Sequence, residues 1–353
     1  MSYIIICFYP FLNYKLFTSF TDVINLNYFI AIFTFLSFDY RKFEKFKVCL
    51  ILLIPLCALV FRNWLILWAI IATAYQLLEL RIPIKNIAKI GVIIVGAQLF
   101  FLVEANLLQY IVAGAVKVEK TERIAYDLGL GNSNNVGTTV FYFIALLYIC
   151  LFRNHKMTFI FIATVINLMM FFYTSSRTFF FSNTLIIIGA ISYLFKLYKK
   201  WFKYLLGILP IILIIGLLYC SLNYWDSEIE DIDRLSTGRL YLFYMFFKDF
   251  TTRDFLIGKP IELDLPLDNS YLAILHLGGV LGFGFFCISF VCSIYKYYHL
   301  LKYYIPFLIG ILAASMTESL FGTPSGAGTI FWMITLLPFK ERKKIFNENS
   351  LLS

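Results

Sequence analysis

The sequence predicts an all-α polytopic integral membrane protein with about 12 transmembrane helices. Three observations lead there. Of 353 residues, 61% are hydrophobic and only 14% are charged, where a soluble domain carries about a quarter charged residues. Apolar runs recur at lengths of about 17 to 25 residues, enough for a helix to cross ~30 Å of hydrocarbon. The short alternating segments of an outer-membrane barrel do not occur. The mean hydropathy of +0.81 agrees.

The spans are expected to begin near residues 3, 22, 47, 63, 88, 136, 157, 178, 204, 270, 303 and 328. They make a single membrane domain over residues 1–353. The first is interrupted by Pro10, Asn13 and Lys15 and followed directly by others, as in a retained signal anchor.

Charge sets the orientation. The connections RKFEKFK, RIPIKNIAK, RNHK, KLYKKWFK and YKYYHLLK and the tail KERKK carry 19 of the 30 basic residues. Such dense, short basic loops face the cytoplasm, which puts both termini there and the protein in the cytoplasmic membrane. The net charge of +9 is therefore a matter of topology, not a nucleic-acid surface. The seven cysteines form no CxxC and read as packing residues.

Three features then fall outside: residues 111–135, the turn TSSRT around Arg177, and a long loop over residues 222–269. The stretch from Asp226 to Gly284 holds ten of the 21 acids. Within the loop, Ser236 or Thr237 can cap a short amphipathic helix that begins near Gly238. Leu240, Phe243, Phe247 and Phe250 share its apolar face, which suits a helix lying on the outer leaflet.

A handful of polar residues could carry chemistry. Arg177 lies between two apolar runs, where a charge costs roughly 2.5 to 3.5 kcal/mol unless it snorkels or finds a partner. It either snorkels to headgroups or lines an outward cavity that holds an anion; the small polar Ser175, Ser176 and Thr178 beside it favour a cavity wall. Arg239 falls in the first turn of the short helix, where the dipole disfavours a cation and a nearby anion removes the penalty. DNSYL, from Asp268, opens the tenth span: Asp268 or Asn269 is an N-cap, or Asp268 is a base. Gly278, Gly279, Gly282 and Gly284 follow in the same helix and allow close packing.

In GNSNNVG, Asn132, Asn134 and Asn135 cap the sixth span or bind sugar hydroxyls. Glu104 or Glu318 could pair with an arginine. The acidic run Asp226, Glu228, Glu230, Asp231 and Asp233 lacks calcium-loop spacing and reads as a solvated loop. His276, alone in the tenth span, reads as a packed or hydrogen-bonded residue. No zinc constellation is present in the sequence.

The order GNSNNVG, SSRT, STGR-helix, FLIGKP, DNSYL with a glycine-rich span, then TES resembles the bacterial polysaccharide polymerases (Wzy-type) and the related O-antigen ligases, over roughly residues 125–325. The resemblance implies a metal-independent, cofactor-free glycosyltransferase at the outer face of the cytoplasmic membrane. Its substrate would be an oligosaccharide on undecaprenyl pyrophosphate. A flippase and a chain-length regulator of the same pathway would be its partners. It implies catalytic roles for Arg177 and Arg239 at the pyrophosphate. The acceptor hydroxyl needs a base within hydrogen-bond reach, which Asp268 or Glu318 could supply, and the expected substrate contacts are Asn132, Asn134, Ser176, Asn269 and Tyr271. Ligases carry HNSYL-like wording where this chain has DNSYL, so their histidine position is Asp268 here. The alternatives are a ligase moving finished glycan to another acceptor and a flippase for the same lipid-linked sugar.

Overall fold

The computed structural model describes residues 3, 4, 6, 7, 34, 64–113, 117–120, 123–126, 133–174, 176–226, 229, 233, 239–259, 268–318, 320 and 325–339. The first three expected spans lie almost wholly outside the described residues, as do Asn132, Ser236, Thr237 and the basic tail. From the fourth expected span onward, a helix stands at or near each expected start.

Helix α1 (Trp64–Glu79) ends where Arg81 takes a left-handed φ of 56° and Ile82 N–H donates back to the Leu77 carbonyl at 3.2 Å. Pro83, with no amide hydrogen and a fixed φ, then seeds the first turn of α2 (Ile84–Ala113). After α2 comes a two-stranded antiparallel hairpin, β1 (Lys117–Lys120) and β2 (Arg123–Tyr126), with Lys117 opposite Tyr126 and Lys120 opposite Arg123. It lies in the segment expected as an outward loop, and among the described residues it is the exception to an all-helical fold.

The next helices are α3 (Ser133–Leu151), α4 (Lys156–Thr174), α5 (Arg177–Leu194) and α6 (Phe202–Leu222). Two short helices follow, α7 (Arg239–Phe247) and α8 (Thr252–Ile257). Last come α9 (Ser270–Leu301), α10 (Ile305–Ala314) and α11 (Gly326–Thr335). Among the described residues, six segments are long and apolar enough to cross a membrane: those beginning at Ile84, Asn134, Lys156, Arg177, Phe202 and Ser270. The last of these runs on to Ala314 and is an antiparallel pair, α9 out and α10 back, joined by a 3-10 turn at Lys302–Tyr304. With ten residues each, α10 and α11 reach only ~15 Å at 1.5 Å per residue.

The core sits around α3. Its span is 67% buried inside the protein, against 22% for α4. Helix α4 instead turns Met157, Phe161, Met169 and Phe172 outward, and α6 does the same with Ile208, Ile212 and Ile215. Outward apolar faces of this kind suit lipid, which solvates them as well as a protein core would. Helices α5 and α10 run antiparallel in close contact. A Cβ on Gly189 would meet Pro306 at 3.0 Å, and one on Gly310 would collide with Ile186.

One expectation about α9 is corrected. The glycine-rich stretch is not a continuous helix: Gly279 has φ 58°, ψ −165° and breaks it. Glycine reaches this region because it has no Cβ. The break is filled by Gly258, at φ 86°, and its neighbours. A Cβ on Gly258 would strike the Leu277 carbonyl, and one on Gly279 the Leu256 carbonyl. Lys259 N–H donates to the His276 carbonyl at 2.7 Å. Interrupted backbone at membrane depth persists only where protein or a water-filled cavity surrounds it; residues 256–259 supply that cover.

Candidate functional site

The bundle has two chemically different ends. Tyr148 of α3 donates to the Tyr303 carbonyl at 2.5 Å, and Tyr298 of α9 donates to the Lys199 carbonyl at 2.7 Å. Lys85 and Lys89 face Cys150 there, Arg153 faces Tyr304, and Lys203 lies over the Tyr204 and Tyr295 rings. This end is basic and aromatic. The helices run from it to an opposite end, where the starts of α3, α5 and α9 meet the finish of α10.

The opposite end collects the described candidate residues. The finish of α10 is its organiser, because a helix leaves its last carbonyls without intrahelical partners. The start of α9 uses several of them. Ser270 N–H donates to the Ser315 carbonyl at 2.9 Å and Ser270 Oγ to the Glu318 carbonyl at 2.8 Å. Asn269 Nδ2 donates to the Met316 carbonyl, while its Oδ1 caps α9 by accepting from Leu272 N–H at 2.9 Å. Tyr271 OH donates to the Leu312 carbonyl at 2.9 Å. Asn269 and Tyr271 are therefore fully buried braces. These hydrogen bonds give both residues a structural role at the start of α9.

Arg239 comes to the same place from α7. Its Nη1 donates to the Thr317 carbonyl, and its Nη2 lies 3.6 Å from Glu318 Oε1. The side chains are 19% and 13% exposed, so the pair is mostly but not wholly covered. Glu318 is thus the anion that offsets a cation at a helix N-terminus. Glu104 lies exposed on α2. Asp268, next to the α9 cap, is half-buried. Burial pushes its carboxyl above its ordinary value, and the Arg239 charge pulls it partly back.

At the first turn of α7, Asp233 Oδ1 accepts Leu240 N–H at 2.7 Å; the expected caps Ser236 and Thr237 lie outside the described residues. Asp233 is only 4% exposed, so this member of the acidic run is not in a solvated loop. The apolar face of α7 does not lie on lipid either: Leu240, Phe243, Phe246 and Phe247 are buried. Phe246, Phe247 and Phe250 surround the His276 ring, with centroids 5.6, 5.6 and 4.8 Å away. This packing fixes α7 and so aims Arg239.

Arg177 opens α5 with an exposed side chain, one residue after Ser176, the buried N-cap position. Ser176 packs by Gly137 of α3, which follows the half-buried Asn134 and exposed Asn135 by one turn. Thr138 and Thr139 donate to the Asn134 and Asn135 carbonyls, both at 2.9 Å. Beneath Ser176 a small cavity is lined by Gly137, Asn167, Thr174 and Asn183. Asn183 Nδ2 donates to Asn167 Oδ1 at 3.1 Å, and Asn167 Nδ2 donates to the Phe180 carbonyl and to Thr184 Oγ1.

Sequence reasoning passed over Asn167 and Asn183 and took Asp233 only as one member of a solvated acidic run. The two asparagines carried a usable signal, since each is an amide inside an apolar run. Asp233 carried none that set it apart from its acidic neighbours. Among the described residues no cluster of His, Cys, Asp or Glu could hold a metal ion. No family model, curated protein or solved structure matches the chain.

Proposed function

We propose that the protein is a membrane glycosyltransferase that joins lipid-pyrophosphate-linked oligosaccharide units into a surface polysaccharide. The observation that carries the reading is Arg239, held by the Thr317 carbonyl and Glu318 beside the half-buried Asp268, at the bundle end where Arg177 also stands. Basic residues crowd the other end, which supports an outward-facing site by the positive-inside rule. The motif order over residues 125–325 that resembles Wzy-type polymerases supports it independently. About 12 spans and cytoplasmic termini belong to the same proposal.

The chemistry is one displacement. The bond between the anomeric carbon of the growing chain and its pyrophosphate oxygen breaks. The terminal hydroxyl of an incoming unit forms the new bond to that carbon. Asp268 takes the hydroxyl proton, and the lipid pyrophosphate leaves with the electron pair. A guanidinium carries five N–H donors. Arg239 commits part of its fork to Thr317 and Glu318 and keeps the rest for phosphate oxygens. Fixed positive charge then stabilises the leaving group as its charge develops, and arginine grips phosphate bidentately where lysine cannot. The lipid confines the donor to the membrane plane and supplies much of the positioning.

A flippase needs a polar route through both halves of the bundle. The helix break at Gly279, the natural place for one, is closed by residues 256–259. The deciding experiment is the length distribution of lipid-linked glycan in cells lacking the protein, with and without the wild-type chain or Arg239→Ala. Single units at the outer face in the null and the mutant, with polymer restored by wild type, support polymerisation. Long lipid-linked chains would mean ligation to another acceptor, and units held on the cytoplasmic side would mean transport.

A further inference from the structure

An aromatic surface takes two of its rings from α7, the helix that carries Arg239. Four rings form it: Tyr224 and Trp225, just after α6, and Tyr241 and Tyr244 of α7. Tyr224 is 5.2 Å from Tyr241 and 6.1 Å, stacked, from Tyr244; Trp225 is 5.3 Å from Tyr224 and 5.9 Å from Tyr244, edge-on to both. Trp225 is 74% exposed and Tyr241 40% exposed. Tyr and Trp, apolar over most of the ring and polar at one end, are enriched at interfaces.

The placement says what it could bind. Tyr241 and Tyr244 share α7 with Arg239, which ties two of the four rings to the helix that carries the guanidinium. Arg239 turns toward Thr317 and Glu318, while the rings cluster with the end of α6. Asp226, exposed, follows Trp225 directly and places a carboxylate at the rim. An aromatic face is electron-rich. The C–H face of a pyranose is weakly electropositive, and its rim of hydroxyls seeks acceptors. We infer that this platform holds a sugar ring of the glycan substrate by stacking, with Trp225 as the principal contact. The inference rests on the glycosyltransferase reading and names the sugar subsite of that same site.

The competing occupant is the membrane interface, where Trp and Tyr also gather. Three substitutions separate the two, because a sugar face needs a ring whereas lipid accepts any apolar group. Purified full-length protein in lipid vesicles is given lipid-linked repeat units extracted from cells lacking it. For Trp225→Ala and Trp225→Leu, KM for the units rises about tenfold with kcat little changed, and Trp225→Phe stays close to wild type. Leucine performing as well as tryptophan would assign the ring to lipid and overturn the subsite. Unchanged kinetics in all three would overturn it as well.

A second measurement does not depend on turnover. The free repeat oligosaccharide, cut from its lipid, is titrated while tryptophan emission is followed. Wild type responds saturably and Trp225→Phe does not; no response in wild type overturns the platform. If wild-type protein makes no polymer yet binds the oligosaccharide through Trp225, the platform stands and the polymerase reading falls.

Discussion

Arg239 and Glu318 meet across 3.6 Å from opposite directions, one from the first turn of a short helix and the other just past the end of α10. Each is mostly covered, so removing either leaves the other charge underpaired in a poorly hydrated place. Breaking a buried pair on one side costs about 3 to 5 kcal/mol, and replacing both partners with apolar groups costs far less. Glu318→Gln therefore lowers the midpoint of thermal unfolding in detergent. The double change Arg239→Met with Glu318→Met recovers most of that loss but makes no polymer. Recovery of polymer in the double variant would remove Arg239 from the mechanism.

Asp268 gives a pH test with a definite sign. Burial raises its proton affinity and Arg239 lowers it, with burial the larger. A base must be ionised, so activity falls as pH drops through this raised value, above the usual range for a carboxylate near 3.9. Arg239→Gln removes the opposing charge and moves the limb further up in the activity that remains. Asp268→Asn abolishes the limb and cuts the rate by a factor of roughly 10² to 10⁴. An unshifted limb in the arginine variant would mean that another group titrates.

Arg177 is exposed at the start of α5. Arg177→Ala is expected to leave protein level and unfolding midpoint unchanged while abolishing polymer. Normal chain length on a gel of the glycan would take Arg177 out of the site.

The cap on α7 links stability to aim. Asp233→Ala removes the acceptor for Leu240 N–H and costs about 1 to 2 kcal/mol. Asp233→Asn keeps an acceptor oxygen and stays near wild type. Because α7 carries Arg239, the alanine variant also loses activity, read as a lower kcat at saturating repeat unit. Equal behaviour of the two variants would show that the cap does not position α7.

Glycine positions in and around α9 divide sharply. Gly279→Ala forces a Cβ into the Leu256 carbonyl at a left-handed backbone, and Gly258→Ala does the reciprocal at Leu277. Both are expected to abolish monodisperse protein on size-exclusion chromatography. Gly284→Ala, whose Cβ would meet nothing within 4 Å, is the tolerated control.

Much of this architecture is legible in the residues. Apolar length alone places helices from the fourth expected span onward, and the dipole argument for Arg239 correctly asks for a nearby anion. What escapes is mostly the choice between protein and lipid as the neighbour. Leu240, Phe243 and Phe247 form one apolar face whether they meet a membrane or His276, so periodicity cannot separate the two. The phrase DNSYL offers Tyr271 as a candidate substrate contact; only the path of α10 reveals that its hydroxyl donates to the Leu312 carbonyl. A glycine that packs and a glycine that breaks, such as Gly284 and Gly279, are written with the same letter.

The wiring of the bundle also orders its biogenesis. The patch over the α9 break comes from residues 256–259, which the ribosome makes before α9 itself. The interruption can thus enter the membrane with its carbonyl already provided for. Asn269, Ser270, Tyr271 and Arg239 instead await carbonyls between Leu312 and Glu318. A chain stalled before that point holds its scaffold but lacks the carbonyls that seat the start of α9 and the Arg239 side chain.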